Sequence, residues 1–509
     1  MTISSTLSTS LWLAQPSGPA YPALDGDLSV DVAVLGAGIA GLTTALLLGQ
    51  GGASVAVVEA GRVGRGVSGH STAKVSSLHG MAYGEIASRF GEEAARIHGE
   101  ANEGAIAQVA ALVEDLEIEC AWERVPAYVY TEHSGETGLL QAEAELARAL
   151  GLPASYTEDL ELPWSPPGAL RFDGQAQFDP HAYLAALARA VVRDGGRVLE
   201  GTRALEVAEG EPCRVRTATG TIVAGDVVVA THVPILDRGA FFARTHLERS
   251  YVLGVRVGPG AETEGMYLST ESPTHSLRRA RSWDDESGAM LLVGGEGHKA
   301  GQGGDTAERV RRLETWVRAR FPVRAIEHRW STQDAMPVDG LPFIGPVTPL
   351  ASRVHVATGM RKWGMTGGTV AGMILSDAIL RRPNLWASLY DSRRIRPVAS
   401  ARSFLAENLN VGRRFVADRL VRPRRSPAAE LRPGEAAVRR DGVRSVAVSR
   451  DDDGTVHAVS AVCPHLGCLV QWNSAETSWD CPCHGSRFDR KGRVLQGPAV
   501  RDLEPRKPS

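Results

Sequence analysis

The stretch Cys463–Ser486, CPHLGCLVQWNSAETSWDCPCHGS, constrains this 509-residue chain more than any other. Cys463-x-His465 is followed, after fifteen residues, by Cys481-x-x-His484, so two thiolates and two imidazoles stand on a pair of loops that each open with Cys-Pro. That is a metal site. Two Cys plus two His would suit a tetrahedral structural zinc. Cys468 and Cys483 argue against zinc, because they sit one per loop just inside the ligands, where a disulfide could staple the loops together. A zinc finger has no use for such a staple.

CPHLGC and CPCHGS resemble the two cluster-binding loops of the Rieske 2Fe-2S family, specifically the high-potential kind of cytochrome bc complexes. The resemblance implies that Cys463 and Cys481 hold one iron, His465 and His484 the other, and that Cys468 and Cys483 form the disulfide. Imidazole in place of thiolate removes negative charge, so such centres lie at roughly −150 to +300 mV against about −400 mV for all-Cys ferredoxins. Ser486 matches the family serine that donates to a bridging sulfide. The chain departs at Phe488, where high-potential members carry a tyrosine bonding a ligand sulfur. Phenylalanine has no donor, so a potential below that of the respiratory proteins is expected. Gly497-Pro498-Ala499 resembles the third loop, which shields the cluster from water.

The segment Val30–Glu59 carries the second signal: an apolar strand, the turn Gly36-Ala37-Gly38-Ile39-Ala40-Gly41, a helix of small residues, a second strand and a terminal acid. Gly36 suits the tight turn, Gly38 the approach of a pyrophosphate and Gly41 close helix–strand packing, while the helix N-terminus offers amides and positive dipole. Glu59 can accept from ribose hydroxyls, and its charge repels a 2′-phosphate. The sequence after Glu59, GRVGRGVSGHSTAKVSSLHG, continues as a loop. It resembles the flavin-contacting loop of the glycine oxidase and D-amino-acid oxidase family, most closely the branch with a fused Rieske domain. FAD is the dinucleotide this implies, with Ser68, His70, Ser71, Thr72 and Lys74 as flavin neighbours. Each of these residue types would equally suit a solvated loop.

Later segments extend that resemblance. Gly84–Glu119 has apolar residues at helical spacing, and Glu123–Thr131 alternates like a strand. Asp179-Pro180 caps a further helix. Ser250–Val257 and Ala289–Gly294 read as strands of an antiparallel sheet that floors the substrate cavity in the resembled family. Gly295-x-Gly297-x-x-x-Gly301 imitates a nucleotide fingerprint, but no apolar helix follows, so it reads as a strand-end loop. After the strand Val354–Ala357, the loop MRKWGMTGG opens a helix expected from about Thr369 to Leu380. A glycine-rich helix start aims amides at its ligand, here the pyrimidine end of the isoalloxazine ring, so Gly359, Trp363, Gly364, Met365 and Thr366 are expected flavin contacts. Trp363 would otherwise be core packing. Ala399–Leu420 reads as a helix before the prolines at 423, 427 and 433.

The expected architecture is an α/β Rossmann-like FAD-binding domain with an interleaved antiparallel β-sheet substrate domain, followed by an all-β Rieske domain. The oxidoreductase would span 1–422, with FAD segments near 28–82, 170–235 and 330–395, cap segments near 83–169 and 236–329, and a helical linker over 396–422. The Rieske domain would span 430–509. A net charge of −3 gives no general case for nucleic acid, and the seven arginines between Arg413 and Arg432 suit a solvated linker. There is no run of eighteen apolar residues to span a bilayer and no basic, then apolar leader. Four of six cysteines lie in the last fifty residues, which suggests a reduced, cytoplasmic compartment.

The resemblance implies an amine or amino-acid dehydrogenase that passes hydride to FAD and single electrons to the cluster and an outside acceptor, whether quinone, ferredoxin or cytochrome. The alternatives are an NAD(P)H-dependent reductase feeding an oxygenase, or a redox-sensing electron-transfer module that turns over no substrate. No second nucleotide fingerprint supports the reductase. About seventy-five residues after Pro433 are too few to add an oxygenase iron domain. No catalytic acid or base stands out from the sequence.

Overall fold

A computed structural model of the chain describes residues 9–15, 18–236, 238–258, 261, 263–280, 290–302, 304–395, 405, 408–409, 431–442 and 444–507. The helix expected over Ala399–Leu420 lies almost wholly outside them. In chain order, the elements that position the site are β1 (Leu28–Leu35), α1 (Ile39–Gln50), β2 (Val55–Val58), β3 (Thr221–Val229), β4 (Thr245–Val257), β5 (Met290–Lys299), α2 (Thr306–Arg320), β6 (Val323–Pro337), β7 (Val354–Thr358) and α3 (Gly364–Ile379).

β1 is apolar on both faces because both are covered. Val32 and Val34 join a core with Leu42 of α1 and Leu375 of α3, and Ala33 and Leu35 join a second core with Phe241 and Val347. It pairs in parallel with β2, Leu35 opposite Val58, and with β3, Leu35 opposite Val229. β7 extends the parallel order on the far side of β3. Parallel neighbours require crossovers, and α1 supplies the first. The strand ends beside the glycine turn therefore open onto one crevice, the usual ligand position in such sheets.

A second eight-stranded sheet has β6 at its edge, then β4, then β5, all antiparallel. Its two faces enter different cores. Val252 and Trp330 pack with the nucleotide domain, whereas Tyr251, Leu253 and Val255 pack with Val310 and Leu313 of α2 and with Ala475 of the C-terminal module. That module forms a three-stranded sheet, Ala436–Asp441, Arg444–Arg450 and Val456–Ser460, and a four-stranded one from Gln471–Asn473 to Val494–Gln496.

Several expectations shift. The stretch Gly84–Glu119 is two helices, Ala82–Phe90 and Glu92–Asp115, broken at Gly91, whose φ of 90° ends the first. The strand expected over Glu123–Thr131 is interrupted, running as Glu123–Arg124 and Ala127–Thr131 around Pro126, which cannot donate to a ladder. Helix α3 begins at Gly364, not Thr369, so three expected contact residues form its first turn. The boundary expected near 330 falls inside β6, a strand of the cavity sheet. Gly295 and Gly297 belong to β5 itself, not to a loop.

Candidate active site and metal centre

The glycine turn is built by close packing. A Cβ at Gly41 would fall 1.9 Å from Gly36 O, so only glycine lets α1 start so near β1. Glu59 reaches back across the turn, accepting from Ala37 N at 2.9 Å and Gly61 N at 2.7 Å. Burial pushes its carboxyl above the usual range, against those two amide bonds. Ser68 Oγ accepts from Ile39 N at 3.2 Å, tying the following loop to the helix start.

One cavity of about 1010 Å³ runs from this turn across the molecule. Its lining includes Gly36, Gly38, Ile39, Ala40 and Glu59 of the turn and second strand, Ser68, His70, Ser71, Thr72 and Lys74 of the following loop, and Trp363, Gly364 and Met365 at the start of α3, which packs beside the turn through Gly368 and Ile39. Four of the expected residues stand behind that surface. Ala37 and Thr366 are each 1% exposed, Gly41 packs α1 on β1, and Gly359 packs on Pro337. Lys74 Nζ donates to Tyr267 O at 2.9 Å, and burial, then Arg278, lower its pKa to about 7.

Sequence reasoning missed His79 and His98. His79 stacks on Trp363 with ring centroids 4.7 Å apart and bonds His98 at 3.1 Å, and His98 bonds Tyr390 OH at 2.9 Å. Burial drops both imidazoles, His98 to about 3, so each is neutral at pH 7. His98 lies on a covering helix, where spacing gives no hint of a role.

In the C-terminal module, Cys468 and Cys483 are joined by a disulfide with Cα atoms 6.5 Å apart. Cys463 and Cys481 are free and buried. They hydrogen-bond each other, which lowers the first thiol and raises the second, and the Ser486 hydroxyl also bonds Cys463. The rings of His465 and His484 stand edge to face at 5.0 Å, and Phe242 meets both edge-on at 6.3 and 5.4 Å. The sulfurs of Cys468, Cys481 and Cys483 lie within 4.8 Å of one another, but two of them are spent in the disulfide. The donor set left over is two thiols and two imidazoles on facing loops, which suits an iron pair ligated two and two. Ala499 N donates to Ser486 Oγ at 3.0 Å, so the third loop closes over the same place.

Residues 31–378 match the FAD-dependent oxidoreductase (DAO) family, and residues 424–506 match the Rieske [2Fe-2S] domain. The chain belongs to the DAO family of FAD-dependent oxidoreductases and carries a C-terminal Rieske domain. Its cofactors are FAD and a 2Fe-2S cluster. Among curated relatives, YhfW of Bacillus subtilis, named as a Rieske 2Fe-2S iron-sulfur protein, is 36% identical over 97% of this chain and 96% of its own. The iron-sulfur subunit 1 of the cytochrome b6-f complex of Nostoc is 53% identical over 49 residues, 10% of this chain and 27% of its own. Glycine oxidase from Geobacillus kaustophilus shares the fold with a TM-score of 0.61 at 19% identity, covering 72% of this chain and 99% of its own. L-proline dehydrogenase from P. horikoshii does so with a TM-score of 0.57 at 19% identity, covering 73% and 98%.

In this DAO-family chain the cavity sheet presents charge on both faces. Strand alternation sets Glu248 and Asp334, directly opposite each other, on one face and Arg249 and Gln333 on the other. Lys362 Nζ meets Glu248 at 2.9 Å. A bond to His246, and then Lys362, hold Glu248 at about 2, whereas burial lifts Asp334 to about 6, opposed by Lys362 and helped by Glu248. Arg249 bonds Ser331 Oγ at 2.6 Å and pairs with Glu476 and Asp480 of the Rieske module; Arg487 pairs with the same two acids. Gly301, the last glycine of the false fingerprint, lets the chain meet the cluster loop: a Cβ there would fall 2.6 Å from Pro482 Cα. Tyr251 OH and His298 bond each other at 3.0 Å. Among the described residues no helix is long and apolar enough to cross a membrane.

Proposed function

We propose that this oxidoreductase is an amine or amino-acid dehydrogenase that oxidises a C–N substrate and passes its electrons to the Rieske cluster and then to an external acceptor. The observation that carries the reading is that one cavity is lined both by Gly36 of the glycine turn and by Glu476, Gln496, Gly497 and Ala499 of the Rieske module. When bound, FAD would supply a two-electron acceptor for a C–H bond beside nitrogen, and the cluster a one-electron carrier.

Gly36, Gly38, Ile39 and Ala40 would receive the pyrophosphate and Glu59 the ribose, with Ala37 and Gly41 shaping the turn behind them. Ser68, Thr72 and Lys74, with Trp363, Gly364 and Met365, would frame the ring, and Gly359 and Thr366 would support that frame from behind. The first turn of α3, whose Gly364 and Met365 line the cavity, would offer its amides to negative charge developing on the bound group. Cys463, Cys481, His465 and His484 would hold the irons, with Cys468–Cys483 and Ser486 fixing the loops. Asp334, which lines the cavity and which burial lifts to about 6, would take a proton from an entering ammonium group and leave the amine neutral. We assign 1–422 to the oxidoreductase and 430–509 to the Rieske domain.

The test is an anaerobic screen of amines and amino acids, following visible absorbance together with low-temperature paramagnetic resonance. A true substrate is expected to bleach flavin and then cluster, without oxygen. Bleaching of the flavin alone would remove the relay, and bleaching by NADH instead would make the protein a reductase.

A further inference from the structure

We propose that the side chain of Gln333 is the electronic bridge between the cavity and the cluster-binding loop, and that Arg249 is the positioning residue that holds it there. The proposal rests on the relay reading above.

Gln333 stands on β6, is 2% exposed and lines the cavity. Its Nε2 donates to Gly485 O at 2.9 Å, the carbonyl directly after the ligand candidate His484 and before Ser486. Its Oε1 accepts from Arg249 Nη2 at 2.7 Å. A guanidinium can only donate, so this bond decides which end of the amide faces the loop. Arg249 is itself 1% exposed and fixed by Ser331, Glu476 and Asp480, so it has little freedom to release Gln333. On the cavity side, His232 and Gln333 both line the wall. A path of covalent bonds and one hydrogen bond thus runs from the cavity wall at Gln333 to Gly485, one residue from His484.

The joint is also tight. A Cβ at Gly485 would fall 2.1 Å from Leu247 Cδ1 and 2.8 Å from Gln333 Nε2, and its φ of +67° suits glycine. No side chain fits between the strand and the loop. Electron tunnelling decays steeply across van der Waals gaps and less steeply through bonded and hydrogen-bonded atoms, so a donor spanning the seam of two modules carries a large share of the coupling. A buried amide is costly unless both ends are satisfied, and here the two partners come from the two sides of the seam. One electron leaves the reduced flavin and reduces one ferric ion of the cluster to ferrous; no bond of Gln333 is made or broken.

The test uses the full chain loaded with FAD and cluster, under argon, and needs no substrate. A laser flash with 5-deazariboflavin and EDTA reduces the flavin, and flavin reoxidation is followed together with cluster bleaching. Q333M keeps the side-chain length and loses the donor. It is expected to slow flavin-to-cluster transfer by about tenfold or more, with FAD content, the cluster's resonance spectrum and its midpoint potential unchanged. Transfer within about twofold of the unaltered chain, at unchanged potential, overturns the proposal. Should Q333M assemble no cluster, Q333E decides: its carboxylate still pairs with Arg249 and cannot donate to Gly485, so the same slowing is expected and an unslowed rate overturns the bridge. An unaltered chain that never bleaches its cluster after flavin reduction would instead sink the relay reading, before any variant is made.

Discussion

The proposed flavin cradle draws largely on backbone and small residues between Gly36 and Thr366, brought together by two sheets, whereas the cluster site takes all four candidate ligands from Cys463–His484. The cradle works by leaving atoms out: at Gly41 the absence of a Cβ is the functional feature. The cluster site works by putting atoms in, as thiols and imidazoles with definite donor chemistry. The two should therefore fail differently when altered.

The largest effect is expected at a ligand. In Cys481→Ser the cluster is lost altogether, while FAD content is retained. Iron and acid-labile sulfide analysis beside flavin absorbance checks this, and loss of both cofactors together would mean that the two sites do not fold independently. Next comes the cradle: Gly41→Ala places a methyl 1.9 Å from Gly36 O and should lower FAD affinity by a hundredfold or more, about 3 kcal/mol. Apoprotein titration measures it. An unchanged affinity would mean that α1 can shift without cost, and the contrast between the sites would weaken.

The same difference explains how much could be read in advance. Side-chain ligands announce themselves by type and spacing, so the cluster loops, the disulfide partners and the glycine turn were legible. The start of α3 was not, because Gly364, Gly367 and Gly368 are poor helix formers and their helix is stabilised by packing on Ile39 and Thr43 of α1, a tertiary effect. In Gly295-x-Gly297-x-x-x-Gly301 the first two glycines lie in β5, and the contact of Gly301 with Pro482 depends on a partner almost two hundred residues away. His79, His98, Glu248 and Gln333 carried no local signal. Their roles come from which strand or helix lies opposite, and one sequence does not state that.

A smaller effect separates the two faces of the cavity sheet. Asp334 has a folded pKa of about 6 against 3.8 ordinarily. A raised acid favours the folded state fully below about pH 4 and loses that advantage as pH climbs through 6. Asp334→Asn escapes the loss, so the variant should match the unaltered chain at pH 4 and exceed it by about 1–2 kcal/mol at pH 7.5, solvent screening of this half-buried group included. Thermal melts at the two pH values check this, and a gap that is equal at both would mean that the carboxyl is not perturbed. If Asp334 also serves as proton acceptor, the variant gains stability while substrate reduction of the flavin slows.

The smallest effect belongs to Phe488, fully buried in one core with Cys463, Cys468, Cys481 and Cys483. Its ring fills the place but offers no hydrogen to sulfur, so the reduced cluster, which carries the extra negative charge, lacks one stabilising donor. Phe488→Tyr adds a hydroxyl at that ring. A hydrogen bond worth about 1 kcal/mol, made to the reduced state more strongly than to the oxidised, raises a one-electron midpoint by ~40 mV. Redox titration followed by paramagnetic resonance measures the shift directly. The flavin potential should stay fixed, because Phe488 lies in the cluster core and does not line the flavin cavity. A midpoint that fails to rise would mean that the hydroxyl finds another acceptor, and that the potential is set by burial and by Ser486 alone.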